Sequence, residues 1–542
     1  MRPLDRALTA PLADWLPRQR WFAGKDRAIG EVSIGTDTAL TGPESLAGPG
    51  SFAGTGALAG TEPSGAGAGA GASLRHLLVD VRQGDDWDRY QLLVGTRDEL
   101  PDRLRHAEIG EAEGGVHLYD AAHDPGLTRV LLDGIAREAK MGRLRFHRAP
   151  GCDIRAGDSG VPGSAEQSNT SLIFGDSYIC KLFRRLSPGI NPDLEINLAL
   201  TEAGCEHIAA VRGWIELAPG DGEEPVTLAL LSDYLRTATD GWQLAITSVR
   251  DWLAHPGPDG YGRYPGGGPD TGDYMDTTGR PGAASMPGDG APATASGYGT
   301  SGAHGSSGGE RPALDAGAAG GDFAAEAERL GAATAAVHRD LAIAFGTTVA
   351  SAEQVRALAR AMHRQLDEVS RSVPELIAHA GAISAVFDEL SAQATELPLQ
   401  RVHGDFHLGQ VMRADTGWVL LDFEGEPART PQERRALAHP LRDVAGMLRS
   451  FEYAARFLPA GDTTLSPEAE MGLELRARAW ADRNREAFCR GYAEAGGADP
   501  AANAVLIRAL ELDKAVYEIR YEARNRPSWL PVPLRSLAHL AE

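Results

Sequence analysis

The segment 403–410 holds the side chains of this sequence best suited to a chemical reaction, and a strand-like run ending at Asp422 follows it. Phosphoryl transfer needs a carboxylate that accepts the proton of the attacking hydroxyl, and oxygen ligands that hold magnesium on the β and γ phosphates. Asp405 suits the first task, while Gln410 and Asp422 carry oxygen donors for the second. A hairpin turning at 415–417 would bring the three side chains together. The pattern therefore predicts a phosphotransferase.

Two other interpretations of this segment stay open at this point. The first is a turn whose polar groups are satisfied by hydrogen bonds and which has no catalytic role. In the second, alternation along a strand places His403, Asp405 and His407 on one face as ligands of a hydrolytic metal. The sequence nearby offers no further His or carboxylate cluster at ligand spacing, which disfavours the hydrolase.

Charge and cysteine content disfavour several other classes of protein. The 542 residues include 53 Lys and Arg against 75 Asp and Glu, a formal net charge of −22, so a phosphate-binding surface for nucleic acid is not expected. The four cysteines form neither a CxxC pair nor a metal-ligand cluster. The start of the chain lacks the apolar region of a signal peptide, and no stretch approaches the ~18 apolar residues of a membrane span. We expect a cytoplasmic protein that binds neither nucleic acid nor membrane.

Two stretches rich in small residues interrupt the chain. Residues 41–73 and 254–321 are dominated by Gly, Ala, Pro, Ser and Thr. They have too few large apolar side chains to offset the entropy lost on ordering. We therefore predict both as disordered insertions, and the remainder is long enough for two or three packed lobes.

Hydrophobic periodicity divides the remainder into a mainly β half and a mainly helical half, which predicts an α+β fold. A short connector joins the halves, and one small hairpin lies between the helices. The predicted elements are hairpins over 77–81 with 90–94, 171–174 with 178–183 and 409–413 with 420–422, a strand at 226–231, and helices at 192–203, 323–338, 353–366 and 470–493.

Several strings carry a resemblance to a known family. The segment 403–410, followed by Asp422-Phe423-Glu424, resembles the aminoglycoside-phosphotransferase branch of the protein-kinase-like fold. Longer strings are similar to the bacterial maltokinases, and the likeness covers nearly the whole chain outside the two insertions. These strings are Arg20-Trp21-Phe22-Ala23-Gly24, Glu166-Gln167-Ser168-Asn169-Thr170-Ser171, Leu421-Asp422-Phe423-Glu424-Gly425-Glu426-Pro427, Pro440-Leu441-Arg442-Asp443-Val444-Ala445-Gly446-Met447 and Tyr521-Glu522-Ala523-Arg524-Asn525-Arg526-Pro527.

The resemblance implies a bilobal kinase fold with an N-terminal cap, a mixed β N-lobe and a mainly helical C-lobe. On this basis we assign 1–100 to the cap, 101–235 to the nucleotide-binding N-lobe, and 236–542 to the C-lobe with the catalytic loop and the sugar site. The implied reaction is transfer of the γ-phosphoryl group of ATP to the anomeric hydroxyl of maltose, giving maltose 1-phosphate for α-glucan and glycogen synthesis. The family also suggests a trehalose synthase as partner.

Residue roles follow from the same resemblance. It makes Asp405 the catalytic base and Gln410 and Asp422 the ligands of Mg²⁺. It makes Lys181 the lysine that contacts the α and β phosphates, held in place by Glu195. Gln410 departs from the family pattern, in which most relatives carry Asn, but it offers the same amide oxygen on a longer arm.

The nucleotide site departs from the wider kinase pattern because no G-x-G-x-x-G motif is present. The candidate phosphate loop is 163–170, with backbone N–H groups and the hydroxyl of Ser168 or Thr170 facing phosphate. Ser232 and Tyr234 belong to the candidate hinge, whose backbone would meet adenine.

A sugar site is predicted on the C-terminal helix, because sugar pockets combine aromatic faces with planar polar groups. Five residues of this helix share one broad face, and Trp242 is a further candidate for the wall of the pocket. The five are Tyr517, Glu518, Tyr521, Glu522 and Arg526. The alternative is that Glu522 and Arg526 form an ordinary i,i+4 ion pair and that the aromatic residues belong to the core.

The string Arg20 to Arg27 mixes aromatic and basic residues. It is either a structural cap that packs on the N-lobe or a docking face for a partner enzyme, and the residues alone do not decide between the two.

Two other functions stay open. A kinase for glucosamine, another amino sugar or an aminoglycoside would use the same machinery, although Arg524 and Arg526 near the sugar site favour a neutral acceptor. A catalytically inactive kinase-like scaffold would be expected to lack Lys181, Asp405 or Asp422, and all three are present.

Overall fold

The computed structural model describes residues 3–25, 27–41, 72–112, 114–163, 169–220, 222–254, 322–426, 429–460 and 466–541. The insertions predicted at 41–73 and 254–321 lie outside these residues apart from their ends, as does Ser168 of the candidate phosphate loop. Sheets come first and helices follow, which confirms the predicted α+β class. Within the described ranges, no helix combines the length and the apolar character needed to cross a membrane.

The first sheet is built around the hairpin predicted at 77–94. Gly84 has a φ of +67° in the tight turn between the paired residues Gln83 and Asp86, a backbone conformation that suits glycine. The strands are antiparallel in the order β1-β2-β3-β5-β4, and helix α1 packs its apolar residues against them. These elements are α1 (Pro3–Trp15), β1 (Glu31–Ala39), β2 (Ser73–Gln83), β3 (Asp86–Arg97), β4 (Glu108–Ala112) and β5 (Val116–Asp120). The sheet thus continues past the predicted boundary at residue 100.

The second sheet contains the predicted hairpin at 171–183 and the buried strand at 226–231. Its strand order is β6-β7-β12-β13-β10-β9-β8, with β13 in the centre, and the short strand β11 pairs with β3 of the first sheet. The elements are α2 (Pro125–Ala136), β6 (Lys140–Met141), β7 (Leu144–Arg148), β8 (Gly160–Pro162), β9 (Asn169–Phe174), β10 (Tyr178–Phe183), β11 (Arg185–Leu186), α3 (Pro192–Glu202), β12 (Val211–Leu217) and β13 (Val226–Asp233).

The helical half surrounds two small antiparallel sheets. The hairpin that directly follows the segment 403–410 pairs Val411 with Leu420, as predicted. The strands are β14 (Thr239–Asp240), β15 (Thr347–Ala350), β16 (Leu397–Gln400), β17 (Val411–Ala414) and β18 (Gly417–Leu420). The helices are α4 (Gly241–Ala254), α5 (Ala324–Phe345), α6 (Ala352–Ser372), α7 (Ile377–Ala392), α8 (Pro431–Arg434), α9 (Leu441–Ala460), α10 (Pro467–Glu494), α11 (Ala504–Asn525) and α12 (Pro531–Ala541).

A buried ion pair joins the two large sheets. Arg184 follows β10, and its guanidinium lies 2.7 Å from a carboxylate oxygen of Asp120 at the end of β5. Both side chains are almost wholly buried, at 1% and 3% exposed. Arg184 also lies over the ring of Trp21, 4.9 Å from its centroid, and its Nε donates a 2.8 Å hydrogen bond to Thr170 Oγ1. One side chain thus connects the cap to strands β9 and β10.

Replacing Asp120 with Asn should destabilise the protein by about 3–5 kcal/mol, because it leaves the Arg184 charge buried without its partner. The free energy of unfolding in urea measures the loss. The matched control is Asp176→Asn, whose partner Arg236 is exposed, and the change there should stay within about 1 kcal/mol. Equal small losses in both variants would contradict a structural role for the buried pair.

Candidate functional site

A cleft of about 1800 Å³ lies between the first sheet and the helical half. The cleft is lined by Asp405 and Gln410 of the segment 403–410 and by Asp422. Tyr517 and Tyr521 of α11 also line it. The fold therefore brings the predicted catalytic residues and part of the predicted sugar site to one cavity.

The string at Arg20 borders the same cleft. Trp21 and Phe22 are buried, and their rings lie 5.9 and 5.2 Å from that of Tyr90 in β3. Arg20 and Lys25 line the cleft. Of the two roles that the sequence left open, the structure shows the structural packing, and the docking role stays a hypothesis.

Lys181 is held among carboxylates from both halves of the protein. Its Nζ lies 2.8 Å from Asp193 on α3 and 2.7 Å from both Asp422 and Glu424, which follow β18. Glu195 instead pairs with Arg401 at 2.8 Å. The prediction that Glu195 holds Lys181 is therefore wrong, because the rotation of α3 turns Asp193 toward the lysine.

The charges in this cluster stabilise one another unequally. Burial alone would lower the pKa of Lys181, but the nearby carboxylates raise it well above its usual value. Burial also opposes ionisation of Asp422, yet Lys181 holds the pKa of Asp422 below its ordinary range. The pKa of Glu424 is raised by burial and by the neighbouring carboxylates of Asp422 and Asp193. A single lysine leaves this cluster with an excess of negative charge.

Such a cluster fits a divalent cation. Oxygen atoms of Asp193, Asp422 and Glu424 lie within 4.8 Å of one another, and carboxylate oxygens are the ligands that Mg²⁺ prefers. The side chain of Gln410 is next to them, since its Nε2 lies 3.3 Å from Asp422 Oδ2. The predicted ligands are thus adjacent, and Glu424 adds a carboxylate that the sequence analysis did not single out.

The loop that carries Asp405 is held in place by hydrogen bonds to Asp443 of α9. The carboxylate of Asp443 accepts hydrogen bonds from the backbone N–H groups of His403 at 2.7 Å and Gly404 at 2.9 Å, and Nε2 of His338 lies 2.9 Å from it. Gly404 has a φ of +87°, which permits the sharp turn before Asp405. The buried carboxylate therefore sets the position of the base.

The two histidines of the segment bind backbone groups. Nε2 of His403 donates to the carbonyl oxygen of Leu421 at 2.8 Å, and Nδ1 of His407 accepts from the N–H of Gly409 at 3.1 Å. Their roles in holding the loop give no support to the alternative in which they ligate a hydrolytic metal with Asp405.

The face predicted on α11 divides between cleft and core. Tyr517 and Tyr521 line the cleft with their rings stacked at 6.5 Å. Glu518 pairs with Arg449 at 2.6 Å. Glu522 is buried, and it accepts from the Tyr453 hydroxyl and pairs with Arg526 at 2.7 Å. For Glu522 and Arg526 the ion-pair alternative is the one observed.

Three further predicted residues have other surroundings. Trp242 is 1% exposed and packs edge-on against Phe457 in the helical core, so it does not wall the cleft. Thr170 is fully buried and accepts from Arg184, so the prediction that its hydroxyl faces phosphate is wrong. Ser232 lies within β13 and Tyr234 directly follows that strand, where the chain passes toward α4, and the contact of this hinge with adenine stays a prediction.

Sequence reasoning missed Asp193, Asp443 and Lys514. Asp193 begins the same helix as Glu195, and both are acidic residues of its first turn. Lys514 lies three residues before Tyr517 on α11, and its Nζ is 3.3 Å from Asp405 Oδ1. Residues three apart share a helix face, so the predicted sugar face contained a signal for Lys514.

Comparison with known proteins agrees with this architecture. The chain matches the maltokinase N-terminal cap domain over 15–49 and 52–124 and the phosphotransferase enzyme family over 310–496. It is 29% identical over 387 residues to a glucosamine kinase of Streptacidiphilus jiangxiensis. This alignment covers 69% of this chain and 72% of the relative. It is 36% identical over 152 residues to a glucosamine kinase of Mycolicibacterium smegmatis, which covers 27% of this chain and 35% of the relative.

Solved structures share the fold over almost the full length. A glucosamine kinase in one crystal form gives a TM-score of 0.59 at 23% identity and covers 99% of both chains. A glucosamine kinase in complex with glucosamine, ADP and inorganic phosphate gives 0.57 at 22% identity, covering 97% of this chain and 98% of the other. The chain therefore contains a maltokinase-type N-terminal cap domain and a domain of the phosphotransferase enzyme family, and it shares the fold of these kinases.

Proposed function

We propose that this protein transfers the γ-phosphoryl group of ATP to the anomeric hydroxyl of maltose, giving maltose 1-phosphate for α-glucan and glycogen synthesis. The observation that carries the proposal is the shared cleft, in which Asp405 lies with Gln410 and Asp422 beside the paired Lys181. The maltokinase-type cap supports the choice of sugar.

The cluster around Lys181 suits the nucleotide end of the cleft. Lys181 would contact the α and β phosphates, with Asp193 keeping its ammonium in place. Gln410 and Asp422 would hold Mg²⁺, with Glu424 as a further ligand, and the cation would neutralise phosphate charge when bound. Asn169 belongs to the candidate phosphate loop and begins β9, and its Nδ2 lies 3.0 Å from Glu424 Oε1, so this end of the loop lies beside the same cluster.

Asp405 would accept the proton of the sugar hydroxyl as that oxygen attacks phosphorus. Its loop is already fixed by Asp443, which limits the reorganisation needed before reaction. The geometry therefore supports a base that is positioned before the acceptor binds.

The acceptor end of the cleft combines aromatic faces with cations. The rings of Tyr517 and Tyr521 would pack on the C–H faces of a sugar. Lys514 and Arg520 lie 5.1 and 5.5 Å from the centroid of Tyr517, and Arg524 also lines the cleft. The positive charge of Arg520 and Arg524, which line this end of the cleft, would disfavour a cationic acceptor, which supports a neutral sugar such as maltose.

Glucosamine is the second candidate acceptor. Two relatives bear the name glucosamine kinase, and the carboxylates of Glu368 and Asp405 in the cleft are groups with which an amine could pair. Maltose and glucosamine differ in charge, so direct competition between them separates the two proposals.

Location and partner are proposals of the same kind. The resemblance to maltokinases suggests a cytoplasmic enzyme that works beside a trehalose synthase, which would supply maltose. The basic side chains Arg20 and Lys25, which line the cleft, belong to the string at which such a partner would dock.

The identity of the acceptor is tested by measuring ADP formation with ATP and Mg²⁺. The acceptors compared are maltose, glucose, glucosamine, trehalose and an aminoglycoside. We expect maltose to give the highest kcat/KM. In the variant Asp405→Asn, turnover should fall by at least about 100-fold, because the base is lost, while nucleotide affinity stays close to wild type. Faster turnover with glucosamine would replace maltose in the proposal. Nucleotide binding without turnover for any acceptor would favour the inactive scaffold.

Asp193→Asn and Glu195→Gln form a matched pair on one helix turn. Loss of the Asp193 charge should reduce kcat/KM for ATP by about 10- to 100-fold, since a hydrogen bond to a charged group is worth about 1.5–3 kcal/mol. Glu195→Gln should change it only a few-fold. Thermal unfolding checks that both variants fold, and a larger kinetic loss in Glu195→Gln would contradict the assignment of Asp193.

A further inference from the structure

Lys514 is a partly buried cation beside the proposed base. It lies on α11, one turn before Tyr517, and its side chain is 23% exposed. Its Nζ is 3.3 Å from Asp405 Oδ1 and 2.6 Å from Glu426 Oε1. The lysine thus connects the C-terminal helix, the catalytic loop and the segment that follows Glu424.

Glu426 is a fixed anchor for this lysine. Its carboxylate is 6% exposed and also contacts Arg429 at 2.5 Å and Arg442 at 3.4 Å. Burial alone would raise the pKa of Glu426, but Lys514 and the two arginines hold it far below the usual value. Since three cations surround one carboxylate, Glu426 stays ionised and restricts the ammonium of Lys514 to one position.

The contact with Asp405 is the longer of the two and uses one carboxylate oxygen. Burial would lower the pKa of Lys514, whereas Glu426 and Asp405 together raise it, so the lysine remains charged. A charged donor on Oδ1 restricts rotation of the Asp405 carboxylate. The second oxygen, Oδ2, is then the one available to a hydroxyl in the cleft.

We propose that Lys514, held by Glu426, is a positioning residue that orients the Asp405 carboxylate for proton acceptance. This inference rests on the proposed phosphoryl transfer. In that step the acceptor O–H bond breaks and its proton passes to Asp405. The acceptor oxygen forms a bond to the γ-phosphorus of ATP, and the bond from that phosphorus to the bridging oxygen breaks, releasing ADP. Lys514 exchanges no proton and remains an ammonium throughout.

The first test compares Lys514→Met with Lys514→Arg. Loss of the ammonium should lower kcat by about 10- to 100-fold, the loss expected when a catalytic group is misplaced by about 1 Å, with KM for ATP changed only a few-fold. Arginine keeps the charge and should recover part of the loss. Arg508→Met, on the same helix with its Nε bonded to the Leu540 carbonyl, is the control and should retain wild-type kcat.

A double-mutant cycle separates positioning from a general structural effect. If Lys514 acts through Asp405, adding Lys514→Met to Asp405→Asn should change the residual turnover by less than about threefold. Equal fractional losses in both backgrounds, or wild-type kcat in Lys514→Met, would overturn the proposal. Should Lys514→Met fail to fold, Glu426→Gln removes the anchor instead, and an unchanged kcat there would also overturn it.

The same assays distinguish failure of this inference from failure of the proposed function. If wild-type protein prefers another sugar, the maltose assignment fails and the variants are compared with that sugar. If no sugar is phosphorylated, the comparison uses the slow hydrolysis of ATP, in which water replaces the sugar hydroxyl and still gives its proton to Asp405. A loss in Lys514→Met there supports the positioning role without the sugar, and wild-type hydrolysis overturns it.

Discussion

The ion pairs of Lys181 hold the two halves of the molecule together at the reaction site. The lysine lies on β10 of the second sheet, while Asp422 and Glu424 follow the small hairpin of the helical half. A buried charge is costly without a partner, so any shift between the halves would leave the lysine or the carboxylates uncompensated. Asp422 has a φ of +62°, a conformation that is uncommon for non-glycine residues, though less so for Asp, and its contact with Lys181 helps to hold it there.

A second constraint begins three residues further along the same chain segment. Arg184 joins Asp120 and Trp21 of the cap to Thr170 of β9. The segment that contains Lys181 therefore also contacts the cap, through Arg184. As a result the cap forms part of the cleft wall, with Arg20 and Lys25 at its border. The protein has a net charge of −22, yet Arg20 and Lys25 give this wall two basic side chains.

Much of the fold and the centre of the site could be predicted from the sequence because their signals are local. Gly84 and its neighbours predict a hairpin, and the spacing from Asp405 to Asp422 places three side chains around one turn. The predictions that were wrong concern contacts that depend on tertiary packing. Asp193 and Glu195 occupy the same helical turn, and only the orientation of α3 in the folded protein decides which one meets Lys181.

The same limit applies to the aromatic and polar residues assigned to the cleft. Trp242 is an aromatic residue of the kind that packs on sugars, but the position of α4 against α9 buries it beside Phe457. Thr170 ends the candidate phosphate loop, but its hydroxyl accepts a hydrogen bond from Arg184, which directly follows β10. Lys514 lies on the helix face predicted for the sugar site, but its contact with Asp405, which is far away in sequence, depends on how α11 packs against the loop of Asp405.

The position of the phosphate on the product is the decisive observation for the proposed transfer to maltose. Maltose incubated with the protein, ATP and Mg²⁺ would be analysed by two-dimensional NMR that correlates phosphorus with the sugar protons. We expect a single phosphorus signal that correlates with the anomeric proton of the reducing glucose unit. A phosphate on any other carbon, or unchanged maltose beside phosphorylated glucosamine in a mixed sample, would contradict it.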